Sequence, residues 1–142
     1  MTDLLRILLV EDAPGDVELV KRGLERSRVQ HEVQVVGDGA EAMEYLRSAG
    51  QGGGLPDLIL LDINLPRKSG HEVLAEMSGD TELSRVPVIV LTTSDHDEDV
   101  LRAYENRARK YVLKPMRAID FLDALRGIDE FAFNVVRAAH AI

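Results

Sequence analysis

Four short apolar runs in this chain each end on a side chain that can do chemistry, and that repetition constrains the fold more than anything else in it. Ile7-Leu8-Leu9-Val10 is closed by Glu11-Asp12. Leu58-Ile59-Leu60-Leu61 is closed by Asp62. Val88-Ile89-Val90-Leu91 is closed by Thr92, and Tyr111-Val112-Leu113 by Lys114. Short apolar runs bounded by polar or turn residues read as strands buried on both faces. Parallel strands of this kind put all their C-terminal ends on one sheet edge, where open α/β folds bind ligands. The expected site holds three carboxylates, one hydroxyl and one amine.

Helical patterns separate the runs. Strands are expected at Arg6 to Val10, Glu32 to Val36, Asp57 to Asp62, Val88 to Thr92 and Lys110 to Leu113. Helices are expected at about Gly15 to Ser27, Ala40 to Ser48, His71 to Ser78, Asp97 to Asn106 and from Ala118 to near the C-terminus. In the first helix Val17, Val20 and Leu24 share a face. In the second, Ala42, Met43 and Leu46 point inward. Gly50-Gln51-Gly52-Gly53-Gly54 reads as a flexible loop. The β-α unit repeats five times, which predicts one parallel sheet covered by helices on both faces. The last helix, about Arg117 to Ala139, is about twice the mean helix length.

With 142 residues and no linker pattern, the chain is expected to form one domain, with a core over about 5–128 and a helical extension over about 129–142. It has no cysteine, so disulfides, thiolate metal sites and a cysteine nucleophile are excluded. No stretch approaches ~20 apolar residues, and the N-terminus resembles no signal peptide, so a cytoplasmic protein with no membrane span is expected. A net charge of −8 argues against nucleic acid as a partner. The basic run Arg107-Ala108-Arg109-Lys110 reads as a solvated turn before a strand. His31, His71, His96 and His140 show no ligand spacing and are expected in ordinary surface or semi-buried roles.

The chemistry of the expected site is self-consistent. A carboxylate at Asp62 can attack a phosphoryl group and form an acyl phosphate. Such a transfer depends mainly on positioning and charge stabilisation. Glu11 and Asp12 would repel both Asp62 and an incoming phosphate, and a divalent cation resolves this. Mg²⁺ suits the task, being bound by one or two carboxylates, waters and phosphate oxygens. Lys114 adds a fixed positive charge, and the Thr92 hydroxyl can donate to a phosphoryl oxygen. Taken singly, each residue has an ordinary reading. An Asp after a strand is usually a cap or turn former, and an acid pair before a helix suits the helix dipole. The four strand ends together make coincidence improbable.

Val10-Glu11-Asp12, Leu60-Leu61-Asp62-Ile63-Asn64-Leu65-Pro66 with Gly70, Leu91-Thr92 and Leu113-Lys114-Pro115 resemble the receiver domain of two-component response regulators over about 5–128. The resemblance implies a flavodoxin-like (βα)5 fold with strand order 2-1-3-4-5. It implies that Asp62 accepts phosphate from a histidine kinase. Glu11, Asp12, Asp62 and the Asn64 backbone carbonyl would hold Mg²⁺, and Thr92 and Tyr111 would be the switch pair. It also implies kinase docking through the first helix, by Leu19 with Asp16 and Gly23 nearby, and a cis peptide before Pro115. Thr93 departs from the alanine or glycine that many receivers carry, which narrows access to an acyl phosphate. The glycine-bearing insert, Leu91-Thr92-Thr93-Ser94 and Phe131-Ala132-Phe133 resemble single-domain regulators paired with phytochrome-type kinases.

Two other readings use the same residues. A haloacid dehalogenase-type phosphatase needs a second Asp two positions after its nucleophile, and Asn64 stands there, which cannot serve as general acid. A degenerate receiver acting only as a binding module would not need the full acidic set. With no output domain expected after residue 142, a phosphorylated switch would work through protein contacts or phosphate relay. Phe131, Phe133, Val135 and Val136 give the tail an apolar set beyond what closes the core, which predicts a homodimer.

Overall fold

The computed structural model describes residues 4–126 apart from 28, 53, 94–95 and 115–116. Five parallel strands, β1 (Leu5–Val10), β2 (His31–Val36), β3 (Leu58–Leu61), β4 (Val88–Thr92) and β5 (Lys110–Leu113), form one sheet in the order β2-β1-β3-β4-β5. Five helices alternate with them: α1 (Pro14–Arg26), α2 (Gly39–Gln51), α3 (Gly70–Ser78), α4 (Asp97–Glu105) and α5 (Ala118–Arg126). The predicted alternation and the order 2-1-3-4-5 are therefore both present.

The central strands β3 and β4 are buried throughout, whereas the edge strand β2 alternates between half-buried and exposed residues. Pleating divides the core in two. Leu8, Val10, Ile59, Leu61, Val88 and Val90 face α2, α3 and α4 through Met43, Leu46, Val73, Leu74 and Ala103. Ile7, Leu9, Leu58, Leu60, Ile89 and Leu91 face α1 and α5 through Val20, Leu24, Phe121 and Ala124. Burying side chains of the size of Leu24 or Phe121 contributes ~1.5–3 kcal/mol each.

Local chemistry sets the helix starts. Pro14 stands at the beginning of α1, where a missing N–H costs nothing. Asp38 caps α2 by accepting from the Glu41 amide at 2.7 Å. Ser69 caps α3, its hydroxyl accepting from the Glu72 amide at 3.2 Å and donating to the Glu72 carboxylate at 3.4 Å.

The structure corrects three local expectations. α2 runs through Gly50 and Gln51 rather than ending at Ser48, and its end is closed by Gly52 and Gly54 amides donating to Ser48 and Ala49 carbonyls. A single 3₁₀ turn at Leu83–Arg85 precedes β4 and has no counterpart in the sequence reading. The segment from Asp57 is strand only from Leu58, because the Asp57 carboxylate turns back to accept from the Arg6 amide at 2.9 Å. Among the described residues, no helix is long and apolar enough to cross a membrane. Pro115 and the apolar set Phe131, Phe133, Val135 and Val136 lie outside the described residues.

Candidate functional site

The site forms where β1, β3, β4 and β5 end together. The Asp62 amide donates to the Val10 carbonyl at 3.1 Å and the Glu11 amide to the Val36 carbonyl at 3.0 Å, so both acids are held by the last rungs of the sheet. The Lys114 amide donates to the Thr92 carbonyl at 3.0 Å and extends the β4–β5 pairing past its end. Glu11, Asp62 and Thr92 are buried, and Asp12 is exposed. Carboxylate oxygens of Glu11, Asp12 and Asp62 all lie within 4.8 Å of one another.

Lys114 is the charge that faces them. Its side chain is 7% exposed, and its ammonium group pairs with Glu11, with Asp16 at 3.2 Å and with Asp62 at 3.4 Å. One ammonium thus serves three carboxylates, with Asp12 beside them. Burial, reinforced by Asp62, pushes the Glu11 carboxyl up to about 8, against the pull of Lys114. Burial tends to lower Lys114, but its hydrogen bond to Glu11 and the charges around it hold it above its ordinary value. The pocket is therefore short of positive charge. A proton on Glu11 relieves the crowding, and a divalent cation would relieve it further, so the residues fit a hard cation.

Two close backbone approaches shape the rim. A Cβ on Gly70 would lie 2.3 Å from the Asp62 carbonyl oxygen, so the start of α3 rests directly on the backbone of Asp62. The Gly70 amide donates to Ile63 at 2.9 Å, and the Asn64 amide donates to the Asp62 carboxylate at 3.3 Å.

The other expected residues fall as follows. Thr92 is buried at the end of β4, and Thr93 beyond it is exposed. Tyr111 is half-buried against the α2/α3/α4 core. On α1, Leu19 is 45% exposed. Gly23 is buried with Val20 and Leu24. Asp16, expected as a docking residue, reaches into the site as a partner of Lys114. An acid in the first turn of a helix carries an ordinary dipole reading, so nothing in the sequence marked this second contact. His71 is buried rather than at the surface or semi-buried, with Nε2 3.2 Å from Asp99 on α4.

Residues 7–126 match the response regulator receiver domain family. The chain belongs to that family. A receiver is a phosphoacceptor switch in a two-component phosphorelay, the family's partners are histidine kinases, and its acidic pocket binds a divalent cation. This receiver is 42% identical to response regulator Rcp1 of Synechocystis sp. over 132 residues, covering 92% of this chain and 90% of Rcp1. The crystal structure of the Mn²⁺-bound form of Rcp1 superposes with a TM-score of 0.71, covering 89% of this receiver and 93% of that chain. The bacteriophytochrome response regulator AtBRR gives a TM-score of 0.79 at 38% identity, covering 89% and 93%. The phosphorylated cyanobacterial phytochrome response regulator RcpA gives 0.73 at 44%, covering 91% and 94%.

Proposed function

We propose that this receiver takes its phosphoryl group on Asp62, from the phosphohistidine of a kinase. The observation that carries the assignment is the ammonium of Lys114, which lies between Asp62 and Glu11 while three carboxylates crowd within 4.8 Å. An Asp62 carboxylate oxygen attacks phosphorus. The bond from phosphorus to the histidine nitrogen breaks, its electron pair leaves with the imidazole, and an acyl phosphate forms. Lys114 stabilises the charge on the transferring group. The Asn64 amide steadies the carboxylate by its bond to Oδ1. Glu11, Asp12, Asp62 and the Asn64 carbonyl would hold Mg²⁺, which would supply the positive charge that neutralises the acids and the incoming phosphoryl group. The Thr92 hydroxyl then donates to the phosphoryl group, and the Tyr111 ring follows it inward.

In this reading the protein turns over no substrate other than its own phosphate. The similarity to Rcp1, AtBRR and RcpA supports a phytochrome-type kinase as the donor, acting in the cytoplasm. It pairs as a homodimer through the face of β5 and α5, where Leu113 and Ile119 are 47% and 61% exposed, with Phe131, Phe133, Val135 and Val136 extending the contact.

Incubation with acetyl phosphate and Mg²⁺ tests the assignment. Native protein is labelled, and Asp62→Asn is not. Undiminished labelling of Asp62→Asn refutes it, and omission of Mg²⁺ abolishes labelling of the native protein.

A further inference from the structure

The segment from Asp62 to Gly70 begins and ends at the site. In its middle stand two residues that touch a different part of the chain. Arg67 has φ 64°, in the left-handed region that few residues other than glycine occupy. Its guanidinium donates twice to one oxygen of Asp38, from Nη2 at 2.6 Å and from Nε at 3.0 Å. The other Asp38 oxygen accepts from the Glu41 amide at 2.7 Å. The Glu41 carboxylate in turn accepts from the Gly37 amide at 3.2 Å, so the turn that receives Arg67 is itself closed. Next to this pair, Gly39 meets the loop so closely that a Cβ there would lie 2.0 Å from the Lys68 carbonyl oxygen.

These contacts join residues 29 apart in sequence. Asp38 is buried, while the Arg67 side chain is 68% exposed. Hydrogen bonds to Glu41 and Arg67 hold the Asp38 carboxyl below its usual range and keep it charged toward its partner. A residue in a sparsely populated conformation persists only where its surroundings over-determine it, and such residues collect beside functional sites. Asn64, between Asp62 and Arg67, has its amide on the Asp62 carboxylate, and its carbonyl is the neutral ligand in the proposed cation set.

We infer that Asp38 and Arg67 are positioning residues that clamp the β3–α3 loop to the β2–α2 turn and set the Asn64 carbonyl for the cation at Asp62. This rests on the proposed reading of Asp62 and its acidic neighbours as a cation-dependent phosphoacceptor. Neither residue touches the reacting atoms. They act through the loop, as partners behind metal ligands do, whose loss typically costs ~10–100-fold in metal affinity.

Two variants separate this from a merely structural ion pair. Asp38→Asn keeps an acceptor for the Glu41 amide and removes the negative charge that faces Arg67. Arg67→Gly removes the guanidinium and tolerates the left-handed backbone without strain. Mg²⁺ binding is measured by titration calorimetry without a phosphodonor, and labelling from acetyl phosphate is followed across Mg²⁺ concentrations. Each variant is expected to lose about 10-fold in Mg²⁺ affinity and to recover labelling at saturating Mg²⁺, with an unchanged urea midpoint for Arg67→Gly. Because the two act as one contact, the double variant should be no weaker than the worse single one. Native affinity in both single variants overturns the inference, as do losses that add in the double. Failure of the native protein to bind Mg²⁺ or take up label would instead refute the reading of Asp62.

Discussion

Gly70→Ala should damage both the fold and the phosphoacceptor, because the missing side chain is what lets α3 sit on the backbone of Asp62. The added methyl would lie 2.3 Å from the Asp62 carbonyl oxygen and 2.8 Å from the Ile63 Cα, where ordinary contact begins at 3.4 Å. The two segments must therefore part by about 1 Å. The obstruction is backbone, so no side chain can swing aside, and the Gly70 amide to Ile63 carbonyl bond is strained by the same movement. Overpacking of this kind costs ~1–3 kcal/mol. Moving a reacting group by ~1 Å costs about 10²-fold in rate. Urea titration and labelling by acetyl phosphate on one preparation measure both. Gly79→Ala is the control, since its methyl would meet nothing closer than 3.6 Å. A Gly70→Ala protein that loses less than ~0.5 kcal/mol and is labelled at the native rate would refute the reasoning.

Leu19→Glu should slow phosphotransfer from the kinase by ~10-fold or more while leaving acetyl phosphate labelling intact, because Leu19 is exposed and outside the acidic pocket; equal loss in both assays would indicate a folding defect. Without cation, the stability that the raised Glu11 pKa contributes is fully present below about 4.5 and is lost as pH rises through about 8, a window in which Lys114 does not titrate. The native urea midpoint measured in chelator should thus fall from pH 6 to pH 8.5 relative to Glu11→Gln, and Mg²⁺ should reverse the fall; a constant difference between the two proteins refutes this account. Truncation after Asp129 should convert a sedimenting dimer to monomer without loss of label at Asp62, and a native protein that is monomeric at micromolar concentration rules the dimer out.

The fold was legible because its central strands β3 and β4 are buried on both faces. Ile59, Leu60, Val90 and their neighbours have no solvent side to break the apolar run, so each strand stands out and ends on its polar residue. Glu11, Asp62 and Lys114 were visible for that reason, since each is the first side chain past the end of its strand, with Asp12 next to Glu11 and Thr92 on the last residue of β4. Asp16 and the Asp38–Arg67 pair were not, because their roles depend on contacts 98 and 29 residues away that leave no period in the sequence. The end of α2 was misread for another reason. Glycine has poor helix propensity, but the Gly54 amide closes on Ala49, and local bonding overrides the preference.

The division of the core into two halves has a consequence for traffic through the molecule. By the alternation of β4 and β5, Val88, Val90 and Thr92 lie on one side of the sheet together with Tyr111, against the layer that contains α4. Leu19 stands on α1, in the layer on the opposite side. On the proposed roles of Leu19 and of Thr92 with Tyr111, a protein that delivers phosphate over α1 and one that reads the α4 side would approach from opposite directions and meet only at the rim around Asp62. Donor and reader would then not queue for one surface.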